Sequence, residues 1–174
     1  MSVNASKTRI LAEGSVLIAL TVILKNILPP VYRLPQGGSV SAASMVPLLL
    51  FVLRRGPYWG VGAGAVYGLV HMFLPRSYVV DPIQALLDYP LAFAALDLAG
   101  VFRIYPLVGV VVGIFGRFLA HFVSGAVFFA INVGGTHPFV YSAIYNGGYL
   151  LVELLISVIV IAVLVKRRLL ELYL

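Results

Sequence analysis

The stretch LLISVIVIAVLV, residues 154–165, decides the fold: eleven of its twelve positions are apolar and only Ser157 is polar. The apolar residues run on without alternation. A barrel strand in a membrane alternates lipid-facing and lumen-facing residues, so this run reads as a helix buried all round. Extended upstream to Phe139, it exceeds the roughly 20 apolar residues that cross a hydrocarbon layer. The rest of the chain has the same character. Of 174 residues, 61% are hydrophobic and 10% charged, and the mean hydropathy is +1.05. Soluble domains hold roughly 45–50% apolar and about 25% charged residues, so a soluble globular enzyme is excluded, and so is a disordered chain.

Breaks fall where Pro, Gly and charge cluster. Between them the pattern predicts helices over about 10–28, 40–53, 57–74, 82–101, 107–131 and 139–165, the second short and interrupted by Pro47. The expectation is an all-α integral membrane protein, a bundle of six transmembrane helices in a single domain, 1–174. Lys7 and Arg9 precede the first apolar stretch as in a signal peptide. Glu13, Gly14 and Lys25 interrupt it, and no cleavage motif is clear, so it reads as a retained first helix. The net charge of +6 is distributed for orientation rather than for nucleic acid. With both termini in the cytoplasm, Lys7, Arg9, Arg54, Arg55, Arg103, Lys166, Arg167 and Arg168 lie inside and Lys25, Arg33 and Arg76 outside, which fits the positive-inside rule and an N-in/C-in topology. There is no cysteine, hence no disulfide and no thiolate metal site.

Gly60, Gly64 and Gly68 form a small-residue stripe at four-residue spacing, with a weaker one at Ser15 and Ala19. Such stripes let helix backbones approach closely. The first serves either internal packing or a partner protein.

Ionisable groups within membrane segments are costly and usually face the bundle interior. Asp97 is expected to pair with Arg103 or Arg54, Arg117 with Glu153, and His71 to be a hydrogen-bonded packing residue. A further group gathers at one depth. Counting in from the outer face at about 1.5 Å per residue, Asp88 lies roughly 10 Å deep, Asn146 roughly 12 Å and His121 roughly 15 Å. Tyr89 adjoins Asp88, Tyr141 is shallower, and Phe129 lies eight residues beyond His121. This layer is either a hydrogen-bonded network that holds the bundle together or a pocket open to the exterior. One carboxylate among aromatic walls suits a small, flat cation. No phosphate-binding GxxxxGK[ST] loop, GxSxG or HExxH occurs. An intramembrane enzyme using His121 and Asp88 as base and acid would lack an evident nucleophile.

Several stretches together, in order, carry a resemblance: LPQGGSVS at 34–41, LRRG at 53–56, QALLDYPLAFAALDLAG at 84–100, RFLAHFVSGAVFF at 117–129 and PFVYSAIYNGGY at 138–149. The chain resembles the thiamine-specific substrate-binding subunits of energy-coupling factor (ECF) vitamin transporters. The resemblance implies a plasma-membrane protein that captures thiamine from outside, needs no cofactor or metal, and is not an enzyme. A transmembrane coupling protein and two ATPase subunits would supply energy. It also implies ligand contacts by Asp88 and Tyr89, stacking by His121 near the thiazolium and by Phe129 on the aminopyrimidine, and closure of the pocket by Tyr141 and Asn146. Tyr67 and Tyr78 fall at aromatic positions of the family site. Gln36, Gly37, Gly38 and Ser39 would form a lid, and Ser15 and Ala19 would dock on the coupling protein, with Gly60, Gly64 and Gly68 as a further docking stripe. Some members carry tryptophan at Phe129, at Tyr67 and in the first loop, and Glu at Asp88. The only tryptophan, Trp59, lies at the cytoplasmic end. Arg117 is expected to lie too deep to receive a phosphate, which favours the unphosphorylated vitamin. Another small vitamin or a thiamine precursor such as hydroxymethylpyrimidine is the alternative ligand.

Overall fold

The computed structural model describes residues 6–27, 29–41, 43–75, 77–129 and 135–169. Six helical rods form among them. These are α1 (Lys7–Asn26), α2 (Val46–Arg55), α3 (Pro57–Met72), α4 (Pro82–Phe102), α5 (Pro106–Phe129) and α6 (Pro138–Lys166). A two-stranded antiparallel hairpin, β1 (Tyr32–Arg33) and β2 (Ser39–Val40), joins α1 to α2 and pairs Tyr32 with Val40 and Arg33 with Ser39. Arg76 and the last residues of the segment expected over 107–131 lie outside the described residues.

Proline sets the helix starts. Each of α2 to α6 has proline at its first or second position, where the missing N–H would be unbonded anyway and the ring presets φ. Pro47 therefore opens α2 rather than interrupting a longer helix, and Val40 at the start of the expected segment belongs to the hairpin instead. Between α2 and α3 the chain turns at Gly56, whose φ of +85° is left-handed. Asp81 caps α4 by accepting from the backbone N–H groups of Ile83 (2.7 Å) and Gln84 (3.3 Å). Two helices widen locally. A π turn spans Leu87–Leu91 in α4, where Pro90 cannot donate to the helical ladder, and another spans Gly125–Phe129 in α5. Such widenings recur at functional sites because they re-aim side chains.

The fold is an all-helical membrane protein. Three helices, α4, α5 and α6, are long and apolar enough to cross a membrane. Of the other three, α1 carries Lys7, Arg9, Glu13 and Lys25, while α2 and α3 have 10 and 16 residues, α2 being short as expected. Apolar side chains of α5 at helical spacing, Val111, Phe115, Leu119 and Val123, stay exposed along one face, as a lipid-facing surface would. The core lies between α2, α3, α4, α5 and α6 around Leu48, Leu49, Val52, Phe93, Leu96, Val110 and Leu150.

The glycine stripe of α3 faces into this core, which corrects the docking reading of Gly60, Gly64 and Gly68. A Cβ on Gly68 would sit 2.5 Å from the Tyr89 carbonyl oxygen, one on Gly64 2.5 Å from an Asp97 carboxyl oxygen, and one on Gly60 2.5 Å from the Val52 Cβ. Gly64 and Gly68 allow α3 to lie directly on α4, and Gly60 lets it pass Val52 of α2. A Gly64→Val substitution is expected to destabilise the protein by about 1–3 kcal/mol or more through overpacking, read as a lower thermal midpoint in detergent. An unchanged midpoint would mean that the helices can separate there. Ser15 and Ala19, by contrast, lie on an exposed face of α1.

The charged partners also differ from expectation. Arg54 pairs with Glu13 at 2.8 Å, and Arg55 binds the same carboxylate through two nitrogens. This cluster ties the start of α1 to the end of α2. Asp97 is fully buried, and its carboxyl oxygens have no hydrogen-bond partner among the described residues. It sits against Gly64 instead of reaching a cation, because α4 turns it toward α3. Glu153 does not pair with Arg117; it accepts the Ser41 backbone N–H at 2.6 Å.

Candidate functional site

At the hairpin end, α3 to α6, Lys25 of α1 and the hairpin line a cavity that is partly open to solvent. Its polar floor is built on the π turn of α4. The Asp88 carboxylate accepts hydrogen bonds from Gln84 Nε2 (2.6 Å), from Ser124 Oγ (2.8 Å) and from His121 Nδ1 (2.8 Å). Arg117 Nε lies 3.2 Å from His121 Nε2. A guanidinium can only donate, so Nε2 accepts, and the imidazole proton sits on Nδ1, facing the carboxylate. The arginine is held in turn by Met45 Sδ (2.6 Å) and by the Phe93 ring, 4.3 Å below its guanidinium carbon. Arg117, His121 and Ser124 are spaced i, i+4, i+7 and so occupy one face of α5.

Asn146 completes the layer from α6. Its amide nitrogen donates to the His121 carbonyl oxygen and to both the carbonyl and the hydroxyl oxygen of Ser142, each at 3.1 Å. The close fit depends on Gly125, where a Cβ would meet that amide nitrogen at 2.8 Å. The aromatic wall comes from Tyr78, Tyr89, Phe93, Phe129, Tyr141, Tyr145 and Tyr149. The Tyr78 and Phe129 rings are 5.9 Å apart. The Tyr89 hydroxyl accepts from the Tyr78 backbone N–H at 2.7 Å and donates to its carbonyl at 3.2 Å, fixing the loop before α4.

The first loop closes over this cavity. Gln36 and Gly37 turn with φ of +63° and +93°. The Tyr141 hydroxyl donates to Gln36 Oε1 at 2.5 Å, and the Tyr145 hydroxyl accepts from the Gly38 N–H at 3.0 Å and donates to the Pro35 carbonyl. Gln36, Gly37, Gly38 and Ser39 all line the cavity.

The structure thus brings Asp88, Tyr89, His121, Phe129, Tyr141, Asn146 and Tyr78 to one cavity, with the four loop residues. Tyr67 does not line it. It is buried one layer behind, stacked on His71 at 5.5 Å and edge-on to Phe93 at 4.5 Å. His71 lines the cavity, and its two ring nitrogens have no hydrogen-bond partner among the described residues. It is therefore a cavity wall rather than a hydrogen-bonded packing residue. Arg117, expected to lie too deep, also lines the cavity, as do Lys25 and Arg33. Sequence reading missed Ser124, Tyr145 and Tyr149. Tyr141, Tyr145 and Tyr149 recur every four residues, a helical stripe visible in the sequence. Ser124 comes three residues after His121, on the same face of α5.

A carboxylate held by three donors and ringed by aromatic side chains, beneath a hydrogen-bonded loop, is the candidate binding site of a multi-pass membrane protein. Over residues 11–172 the chain matches the model of a family described as thiamine transporter protein. It belongs to that family, a family of transporters rather than enzymes. It is 34% identical to the thiamine transporter ThiT of Bacillus subtilis (strain 168), over 92% of this chain and 93% of that protein. It is 29% identical to ThiT of Lacticaseibacillus paracasei, over 86% of each. The solved structure of ThiT from Listeria monocytogenes superposes with a TM-score of 0.80 at 27% identity, covering 94% of this chain and 96% of that one.

Proposed function

We propose that the protein is the substrate-binding subunit of an ATP-driven ECF-type importer, capturing thiamine from outside the cell. The observation that carries this reading is the Asp88 carboxylate, aligned by Gln84, Ser124 and His121 at the floor of an aromatic cavity. Thiamine has a permanently charged thiazolium and an aminopyrimidine with donor and acceptor edges. The carboxylate, the carboxamide of Asn146 and the tyrosine hydroxyls are complementary to those edges. His121 and Phe129 supply flat faces, each worth about 0.5–2 kcal/mol per well-placed contact with a cation or ring.

In this reading the chain crosses the membrane six times, the short α2 doing so together with the hairpin that precedes it. Both termini lie in the cytoplasm, the side favoured by the basic residues. The exposed Ser15 and Ala19 of α1 form the docking face for the transmembrane coupling protein, and two ATPase subunits complete the assembly.

Isothermal titration of detergent-purified protein with thiamine, and competition by its separate pyrimidine and thiazole halves, tests the ligand. Saturable binding that needs both halves is expected. Full affinity for hydroxymethylpyrimidine alone would reassign the site to a precursor. Mass spectrometry of released ligand is expected to return thiamine chemically unchanged.

A further inference from the structure

Lys25, which also lines the cavity, and Glu153 both bind the same short stretch of chain. Lys25 is near the end of α1 and Glu153 is buried halfway along α6. The Lys25 ammonium donates to Ser39 Oγ at 2.9 Å, to the Ser39 carbonyl at 3.4 Å and to Ser41 Oγ at 2.7 Å. The Glu153 carboxylate accepts the Ser41 backbone N–H at 2.6 Å. The return arm of the lid, β2 and the Ser41 that follows it, is therefore gripped from two helices by opposite charges. The second Glu153 oxygen is buried with no hydrogen-bond partner among the described residues. Burying a carboxylate on so few bonds is costly, and ionisable residues at such depth generally have functional roles.

We propose that Lys25 and Glu153 are positioning residues for ligand retention: they clamp the base of the lid at Ser39 and Ser41 so that its tip lies over the cavity. The tip is fastened separately, through Tyr141 to Gln36 and Tyr145 to Gly38. Between the two fastenings run the hairpin bonds from Val31 N–H to the Val40 carbonyl (2.9 Å) and from Leu34 N–H to the Gly38 carbonyl (2.7 Å). Releasing the base lets β2 swing with its hairpin and transmits disorder to the tip. Retention of thiamine rests on the function proposed above; the clamp itself does not, and it can be read in ligand-free protein.

The test is amide hydrogen exchange across residues 31–41 without ligand, together with the release rate of bound radiolabelled thiamine. Glu153→Leu and Lys25→Met are each expected to speed hairpin exchange at least tenfold while the amides of α5 keep their protection. Each is also expected to speed thiamine release about tenfold. Glu153→Gln keeps an acceptor for the Ser41 N–H and is expected to restore slow exchange. Lys25 is only partly buried, so its variant tests the clamp even where Glu153→Leu fails to fold. Unchanged hairpin exchange in Lys25→Met overturns the clamp. Faster exchange with unchanged thiamine release overturns its role in retention. A wild-type protein that does not bind thiamine sinks the ligand assignment and leaves the exchange experiment intact.

Discussion

Asp88→Asn is expected to weaken thiamine binding by about ten- to a hundredfold, equivalent to about 1.5–3 kcal/mol for hydrogen bonds to a charged group. The carboxylate takes three donors at once, from Gln84, Ser124 and His121. A carboxamide at the same place presents one acceptor oxygen and one donor nitrogen. Whichever way it turns, the nitrogen meets at least one of those donors head-on, and the favourable field for a cation is lost with the charge. The affinity change belongs in calorimetry with thiamine, accompanied by a melting curve. A weakened binder that melts within a few degrees of the parent is the expected pair of results. Undiminished affinity would move the cation-binding role away from α4 altogether.

The double variant Tyr141→Phe/Tyr145→Phe is expected to speed thiamine release by about tenfold or more, with little change in the rate of capture. It removes the hydroxyls that bond Gln36 Oε1, the Gly38 N–H and the Pro35 carbonyl, at about 0.5–1.5 kcal/mol for each hydrogen bond. The rings remain, so the aromatic wall is conserved. The loss falls on a closed lid and not on the open site that the ligand first meets. A pulse-chase with labelled thiamine separates the two rates. An equal slowing of capture would mean that the hydroxyls touch the ligand rather than only the loop.

Helix positions were legible in the sequence because long apolar runs and proline starts are one-dimensional signals. The expected 57–74 and 82–101 meet Pro57–Met72 and Pro82–Phe102 within two residues at each end. The convergence of Asp88, His121 and Asn146 was legible too, since depth along a membrane helix can be counted in residues. Counting does not provide the rotation of each helix about its axis. Arg117 and Glu153 are at similar depth, yet Arg117 turns to His121 and Phe93 while Glu153 turns to Ser41. Asp97 likewise turns to Gly64. The π turns add to this, because each extra residue in a turn rotates the remainder of the helix by about 100° relative to a regular one. The first loop read as a lid only through family resemblance. Its hold on the bundle lies in tyrosines more than a hundred positions away and in Lys25.

The backbone contact between α3 and α4 bears on how cargo can leave. Where Gly64 and Gly68 rest on the main chain around Phe93 and Tyr89, with the Asp97 carboxyl also against Gly64, the two helices are in close contact. A passage through the base of the bundle would require whole helices to part, at the expense of the core around Phe93 and Leu96. Among the described residues, the cup therefore has its doorway under the tyrosine-fastened flap. If the protein delivers its cargo as proposed, cargo bound for the far face of the membrane would leave by the opening through which it came, and the vessel would have to tip over to pour.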